Sequence, residues 1–443
     1  ADDVEPAAVS DIADMLTARA PGVIVQNNSG TTGTSQRIRI RGSNSISLSN
    51  QPLLIIDGVR VNNNALGLNT VEARAVWVGG QETSRWNDLS PEEIENIEIL
   101  KGPAASALYG TAAANGVISI TTKRGRAGET RWNVFTEAGQ ITEETEFPLN
   151  YQRIGVVTNT TTRTPCTLEN EALGVCVPGD STYTYSPLES DNPFREGWRV
   201  NHGLNVSGGS DEVTYFIGAE LEREQGVLDP NFLDKVNLRA NFRSQLLENL
   251  SASVTTGYIT SRLTLPWNDN DTKGALGGGL FGSARNVNSN KGWFDGHPSR
   301  FFFIETGQDV DRFTGGLDIN WLPTSWLSVV GQAGLDNADN EDYQHVPSGV
   351  LLDDPSLSLG SRRVNRVTYR TVTGNVSGTA THPLMEDLHS STSLGTMFTS
   401  ERQQGTFAYG EQLLQGTGAL SGAAARYAID ETRQEIVTLG AYA

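Results

Sequence analysis

Val236-Asn237-Leu238-Arg239-Ala240-Asn241-Phe242-Arg243 alternates without a break, with Val236, Leu238, Ala240 and Phe242 on one side and two asparagines and two arginines on the other. Successive side chains of an extended chain point to opposite faces, so this segment reads as a strand with one apolar and one strongly polar face. The same period recurs. Val213, Tyr215, Ile217, Ala219 and Leu221 alternate with Thr214, Phe216, Gly218 and Glu220, and Phe313, Gly315, Leu317, Ile319 and Trp321 alternate with Thr314, Gly316, Asp318 and Asn320. Ten such segments are expected, near 130–140, 199–208, 212–222, 236–246, 249–262, 312–322, 327–340, 364–380, 389–402 and 433–443.

The connections between them alternate in length. Residues 141–198, 263–311, 341–363 and 403–432 are long and 223–235 intermediate. Gly209-Ser210-Asp211, Leu247-Glu248 and Pro323-Thr324-Ser325-Trp326 are short, and 381–388 shorter than the long set. Short turns on one side and long loops on the other are the pattern of an outer-membrane barrel, and a soluble β-sandwich has no reason to segregate its loops in this way. No apolar run reaches the length of a membrane helix, which leaves a strand-built crossing open.

Composition narrows the function. The 443 residues carry a net charge of −19, which argues against a nucleic-acid binder because phosphate recognition needs a basic face. The 47 glycines, with many Ser, Thr and Asn residues, suit turns and short strands. The five histidines are scattered, and neither H-E-x-x-H nor G-x-S-x-G occurs, so no enzyme is expected. Gly277, Gly279 and Gly282 fit G-x-G-x-x-G spacing, but no strand precedes them and no helix follows, so they read as a flexible loop. No cofactor is expected. Asp269-Asn270-Asp271-Thr272-Lys273-Gly274 resembles the start of a calcium loop, yet Lys273 and Leu280 stand where ligands belong. Asp336, Asp339, Glu341 and Asp342 read as a solvated acidic run, with divalent-ion binding, such as calcium in the outer loops, as the alternative. Cys166 and Cys176 lie ten apart in a polar stretch and are expected to form a disulfide closing an exposed loop, as suits an oxidising compartment.

The first 125 residues differ from the rest and read as a compact α+β unit. Ser10 is expected to cap a short helix presenting Val9, Ile12 and Leu16 and stopped by Pro21-Gly22. Arg37-Ile38-Arg39-Ile40-Arg41-Gly42 alternates strictly, and Leu53–Ile56 turns through Asp57-Gly58 into Val59–Val61. Ser90-Pro91-Glu92-Glu93 is a capping box that predicts a helix with Ile94 and Ile97 on its apolar side. Residues 103–109 read as a further short helix and Gly116–Lys123 as a last strand.

These motifs, in order, resemble the plug of TonB-dependent outer-membrane receptors: Pro21-Gly22-Val23-Ile24-Val25, Arg37–Gly42, Leu53–Val61, Ile94–Pro103, Ala107-Leu108-Tyr109-Gly110, Asn115–Ile118 and Thr121–Gly125. Ile38–Ser43, Gln51-Pro52-Leu53, Ala114–Ile118 and Asn205–Ser210 are similar in wording to the starch-utilisation-system C-type (SusC/RagA-like) importers. The resemblance implies an α+β plug, residues 1–125, inside a transmembrane antiparallel β-barrel of 22 strands, about ten of which fall within residues 126–443. It implies active import of a bulky nutrient, an oligosaccharide or oligopeptide, in the bacterial outer membrane. The expected partners are the TonB-ExbB-ExbD energising complex, a SusD-like lid lipoprotein, outer-membrane lipid and the nutrient itself. A siderophore or metal-chelate receptor is the alternative within the class, and a structural or adhesive surface protein that kept the fold is the alternative outside it. No segment before Val9 resembles the family's TonB box, and the chain ends inside what reads as a tenth strand, so a longer protein is expected.

Two sets of site residues follow. Arg39 and Arg41 are expected to pair with Glu95 and Glu98, three apart and so on one face of a helical turn, as a cluster that ties the plug together beside the wall. Trp267, Trp293, Phe294, Phe301, Phe302 and Phe303 gather in an outer loop, where they suit stacking on sugar rings or peptide side chains, or equally a membrane girdle or a self-packed loop.

Overall fold

The computed structural model describes the chain except for residues 1–11, 17–19, 28, 35, 44–49, 64–84, 103–104, 106–109, 268–270, 351–354, 356–357, 386–387 and 443. Its N-terminal unit begins with helix α1 (Ile12–Leu16) and an antiparallel pair, β1 (Val23–Asn27) and β2 (Gln36–Ile40). β3 (Leu53–Ile56), β4 (Val59–Val61), β5 (Ile94–Leu100) and β6 (Val117–Thr122) form a sheet in the order β4-β3-β6-β5, with β3 and β6 parallel. Ile12, Leu16, Ile38, Ile40, Leu54, Ile56, Trp86, Ile118 and Ile120 close one buried core between these elements.

The expected helix after Ser90 is a single 3-10 turn, Pro91–Glu93, whose N-cap hydroxyl accepts from Glu92 N. The chain then enters β5, because Ile97 and Ile99 pair opposite Ile120 and Ile118 and β-branched side chains pack best on a pleated sheet. The expected cap residues Val9 and Ser10 and most of the helix at 103–109 lie outside the described residues.

From Gly128 the chain is a wall of ten antiparallel strands. The first is β7 (Gly128–Ile141). The connection that follows holds β8 (Asn150–Val157), β9 (Arg163–Pro165), helix α2 (Leu168–Ala172), β10 (Cys176–Tyr185) and helix α3 (Pro187–Ser190), which the sequence pattern did not predict. The wall resumes with β11 (Gly197–Gly209), β12 (Val213–Gln225), β13 (Phe232–Leu247) and β14 (Leu250–Leu265). After helices α4 (Ala275–Leu280) and α5 (Val287–Asn290) come β15 (Glu305–Thr324), β16 (Leu327–Val346), β17 (Ser361–Met385), β18 (Leu388–Leu413) and β19 (Ala423–Tyr442).

Each wall strand pairs with the next along the chain, apart from the β7–β11 step across the first connection. The turns at 210–212, 248–249 and 325–326 lie at one end, and the long connections lie at the other. β17 and β18 run well past the expected 364–380 and 389–402. The outer part of β18 carries residues such as Gln403 and Gln404, so backbone pairing continues where apolar alternation has stopped.

The faces of the wall are inverted relative to a soluble sheet. Trp132, Val134, Leu204, Ile217, Leu238, Phe242, Phe313 and Leu317 are exposed, whereas Asn201, Glu220, Asn237, Arg239, Asn241, Arg312, Asp336 and Asn365 are buried. An exposed apolar face over a polar buried one is what lipid outside and a polar interior require of a membrane barrel wall. No helix among the described residues is long and apolar enough to cross a membrane.

Cys166 and Cys176 are joined by a disulfide that ties the residue before the Thr167 N-cap of α2 to the first residue of β10 within the first outer connection. Peptide mapping of unreduced protein is expected to give one cross-linked peptide containing both cysteines. Alkylation of both thiols without prior reduction would contradict this.

Candidate functional site

The N-terminal unit meets the wall through buried charge. Asp57 and Gly58, both at positive φ, turn β3 into β4, and this places the Asp57 carboxylate over the end of β6. There it accepts from Thr122 N at 3.0 Å and Thr122 Oγ1 at 2.6 Å. Glu93, at the end of the 3-10 turn, accepts Nε of Arg239 at 2.7 Å, and Arg239 Nη1 lies 3.7 Å from Asp57. Arg239 sits on the polar face of β13. Asn241, two residues on and so on the same face, donates to Thr122 Oγ1 at 2.9 Å and to the Lys123 carbonyl at 2.8 Å.

A second centre lies across the wall. Arg312 of β15 forks onto Asp336 of β16 (Nε to Oδ1 2.8 Å, Nη2 to Oδ2 2.9 Å), donates to Asp88 at 2.8 Å and reaches the Asn62 carbonyl at 2.9 Å. Asn62 N in turn donates to Asp336 at 2.9 Å. Arg239, Arg312, Asp57, Asp88, Glu93 and Asp336 are all buried. Two smaller contacts also join the seam: Asn231 exchanges hydrogen bonds with both backbone groups of Thr32, and Arg60 pairs with Glu401 of β18 at 2.7 Å.

Shape complements the charge. Gly316 and Gly334 face each other across β15 and β16. A β-carbon on Gly334 would stand 2.8 Å from Val59, so the bare glycine pair forms the recess that receives the hairpin tip. Asp57 touches β13 while Arg60 touches β18, five strands away. At about 4.8 Å per strand, that reach is available to neighbouring turn residues only if the wall curls around the hairpin.

The expected cluster of Arg39, Arg41, Glu95 and Glu98 is not brought together. β5 is a strand with a bulge at Glu95 that leaves Glu95 and Glu98 both exposed, opposite the core side of Ile94, Ile97 and Ile99, and β2 belongs to a different sheet. Glu95 pairs with Arg126 at 3.4 Å on the surface, Glu98 accepts from Asn96, and Arg41 is exposed at φ 60°. At the two buried centres the plug supplies the acids Asp57, Glu93 and Asp88, and the wall supplies Arg239 and Arg312. The acidic run divides by the period of two. Asp336 and Asp342 turn inward and are buried, while Asp339 and Glu341 face out.

The outer aromatics mostly pack on themselves. Trp293 and Phe301 are buried; Phe301 joins Ile304, Val346, Trp267 and Phe303 in a separate core. Phe302 is half-buried and Phe294 is exposed. Trp293 clasps the first outer connection by donating Nε1 to Asp191 at 3.1 Å, beside Lys291 Nζ at 2.8 Å and His297 Nε2 at 4.0 Å. Of the calcium-like stretch, Asp269 and Asn270 lie outside the described residues. Asp271 accepts from the backbone N of Lys273.

An α+β unit locked by buried ion pairs against the polar face of an antiparallel membrane wall is the architecture of a plugged outer-membrane barrel. Residues 1–117 match the family model of the TonB-dependent receptor plug domain. The receptor SusC of Bacteroides thetaiotaomicron is 26% identical over 405 residues, covering 89% of this chain and 34% of its own length. The solved RagAB peptide transporter superposes with a TM-score of 0.67 at 16% identity over 97% of this chain and 51% of that one. The ferrienterobactin receptor of Escherichia coli is 36% identical over 151 residues, 32% of this chain and 18% of its own length. The chain thus spans about a third of SusC and half of the solved transporter chain. Its first 117 residues thus match a TonB-dependent receptor plug, and along most of its length the chain is similar to the SusC/RagA-like receptors of the bacterial outer membrane.

The latch makes contrasting demands on substitutions. Arg239→Met or Arg312→Met leaves buried carboxylates uncompensated, and each is expected to weaken plug seating by about 3–5 kcal/mol. Glu95→Ala with Glu98→Ala removes only surface charge and is expected to cost less than about 1 kcal/mol. Protease accessibility of the plug in folded, heat-modifiable protein measures both; equal accessibility in the two sets would disprove the assignment.

The clasp makes a pH prediction. Burial alone would raise the Asp191 pKa, but hydrogen bonds from Lys291 and Trp293 and the charges of His297 and Lys291 outweigh it and hold the group below its ordinary value of 3.8. A depressed folded pKa contributes stability that is full above the unfolded value and lost as pH falls through the folded one. Hydrogen exchange of residues 287–297, corrected for intrinsic rate, is therefore expected to be faster in Asp191→Asn than in wild type at pH 6. The two should converge only as pH falls through the folded pKa of Asp191, below 3.8.

Proposed function

We propose that this chain supplies the plug and part of the wall of a TonB-energised importer for a bulky nutrient, an oligosaccharide or oligopeptide, that works with a SusD-like lid lipoprotein. The observation that carries the reading is the ionic seam. Arg239 and Arg312 hold the plug by charge-assisted hydrogen bonds, with an apolar contact at Val59 set in a glycine recess. Water can take over each of those hydrogen bonds when the plug is pulled, whereas a broad apolar seam offers no such exchange. A plug of this kind is fixed at rest and movable under load, as gated import requires.

The choice of cargo rests on relatives. SusC matches along nearly the whole chain, whereas the ferrienterobactin receptor matches along a third of it. Exposed Phe294 beside the clasped outer connections offers a surface for a ring or an apolar side chain.

The test is uptake of labelled maltooligosaccharides and oligopeptides by cells that express the protein with its neighbouring lipoprotein, with and without TonB. Uptake that vanishes with TonB supports import. Uptake of ferric chelates alone would favour the siderophore reading, and binding without any uptake would favour an adhesive one.

A further inference from the structure

The outward face of the wall carries a second pattern of charge, unconnected with the plug. Arg223 of β12, Asp234 of β13, Arg262 of β14, Asp309 of β15, Glu341 of β16 and Arg366 of β17 stand directly opposite one another in register, one per strand over six successive strands. Each arginine is anchored in the same manner, through Nε: Arg223 to Asp234 at 3.0 Å, Arg262 to Asp309 at 3.3 Å and Arg366 to Glu341 at 2.6 Å. Their side chains are 72%, 72% and 70% exposed, whereas the three carboxylates are 44%, 41% and 28% exposed. The acids are half-covered anchors, and the terminal Nη groups of all three guanidinium ions remain on the surface with donors to spare.

The row lies at the edge of the lipid-facing surface, toward the end that carries the long connections. Leu221 is the next outward residue after Arg223, Tyr258 the second after Arg262 and Val372 the third after Arg366. From strand spacing, Arg223 and Arg262 stand roughly 10 Å apart and Arg262 and Arg366 roughly 14 Å. A guanidinium held at Nε presents its two Nη groups as a fork that matches the oxygens of a phosphate, and anchoring removes much of the entropic cost of binding.

We propose that Arg223, Arg262 and Arg366 form a docking surface for the phosphorylated headgroups of outer-leaflet lipid. Lipid is the occupant because the row borders the outward apolar surface of the wall, which begins at Leu221 next to Arg223 and at Tyr258 farther along from Arg262, so one molecule can lay its phosphate on the row and its acyl chains on that surface. The ladder's acids keep the side chains extended across the strands and prevent them from folding back onto the barrel. This inference rests on the wall facing lipid and is independent of what the protein imports.

The test reconstitutes the full protein in phosphatidylcholine nanodiscs doped with bisphosphorylated lipid A or with its dephosphorylated form, and counts retained lipid A by native mass spectrometry. Wild type is expected to retain the phosphorylated form at least tenfold more than the dephosphorylated one. The triple substitution Arg223→Gln, Arg262→Gln, Arg366→Gln is expected to abolish that preference while heat-modifiability on gels stays intact. Equal retention of the two lipids by wild type, which needs no variant to fold, would overturn the proposal. So would an unchanged preference in the folded triple variant.

Discussion

A guanidinium buried away from water must have its counter-charge, and two of them organise this protein. Arg239 and Arg312 project from the wall into a region where they are almost wholly desolvated, and the partners that make this tolerable are contributed largely by another unit: Asp57, Glu93 and Asp88. Desolvating an unpaired ion costs several kcal/mol, so the position of the hairpin turn, the 3-10 turn after Ser90 and the segment around Asp88 is fixed by where the wall places its arginines. Asp336 supplies the fork on Arg312 from within the wall, and it also accepts from Asn62 N, so one carboxylate is shared between the wall and the plug. The Gly316–Gly334 recess then sets depth: it admits Val59 and leaves no room for a β-carbon beneath it.

Much of the fold was legible in sequence because its period is local. The alternation of Val236–Arg243 identifies a strand and both of its faces from eight residues, and the long-and-short rhythm of the connections orders the wall. Strand ends were less legible. Gln403 and Gln404 are polar on both sides of β18, so no alternation announces that backbone pairing continues through them. The latch was hidden for a different reason. Asp57 had a sufficient local explanation in the turn and Glu93 in the capping box, whereas their shared partner stands 146 residues beyond Glu93, and Arg312 stands 224 beyond Asp88. Pairing at that distance leaves no periodic trace in one sequence. Arg39, Arg41, Glu95 and Glu98 drew attention through charge density alone, and density on a short strand or a turn is compatible with plain exposure.

The outer connections show the same limit from the apolar side. Clustered aromatics in a loop are equally consistent with a ligand surface and with a loop that needs its own core, since a long connection must bury something to hold a shape. Here Trp293 and Phe301 are consumed by that task, and Trp293 takes on a second one by donating to Asp191 across from the first connection. With α3 packed beside α4 and Leu188 against Gly279, the two connections form one body above the wall. Of the six clustered aromatics Trp267, Trp293, Phe294, Phe301, Phe302 and Phe303, Phe294 is the one left exposed.

The two charge systems constrain each other through the period of two. On β15, Arg312 faces the plug and Asp309, three residues away, faces lipid; on β16 Asp336 faces in and Glu341 out; on β13 Arg239 faces in and Asp234 out. Sliding any of these strands by one residue would exchange the faces, putting the latch arginines into lipid and ladder acids against the acids of the plug. A slip by two would keep the faces but separate every cross-strand partner, moving Arg262 from Asp309 and Thr314 from Asp336. Apolar side chains tolerate such shifts because one resembles the next, whereas ion pairs do not. Register in the wall is therefore specified by charges on both sides of the same strands, and the accuracy with which the wall presents Arg239 and Arg312 to the plug depends in part on a row of charges that never touches it.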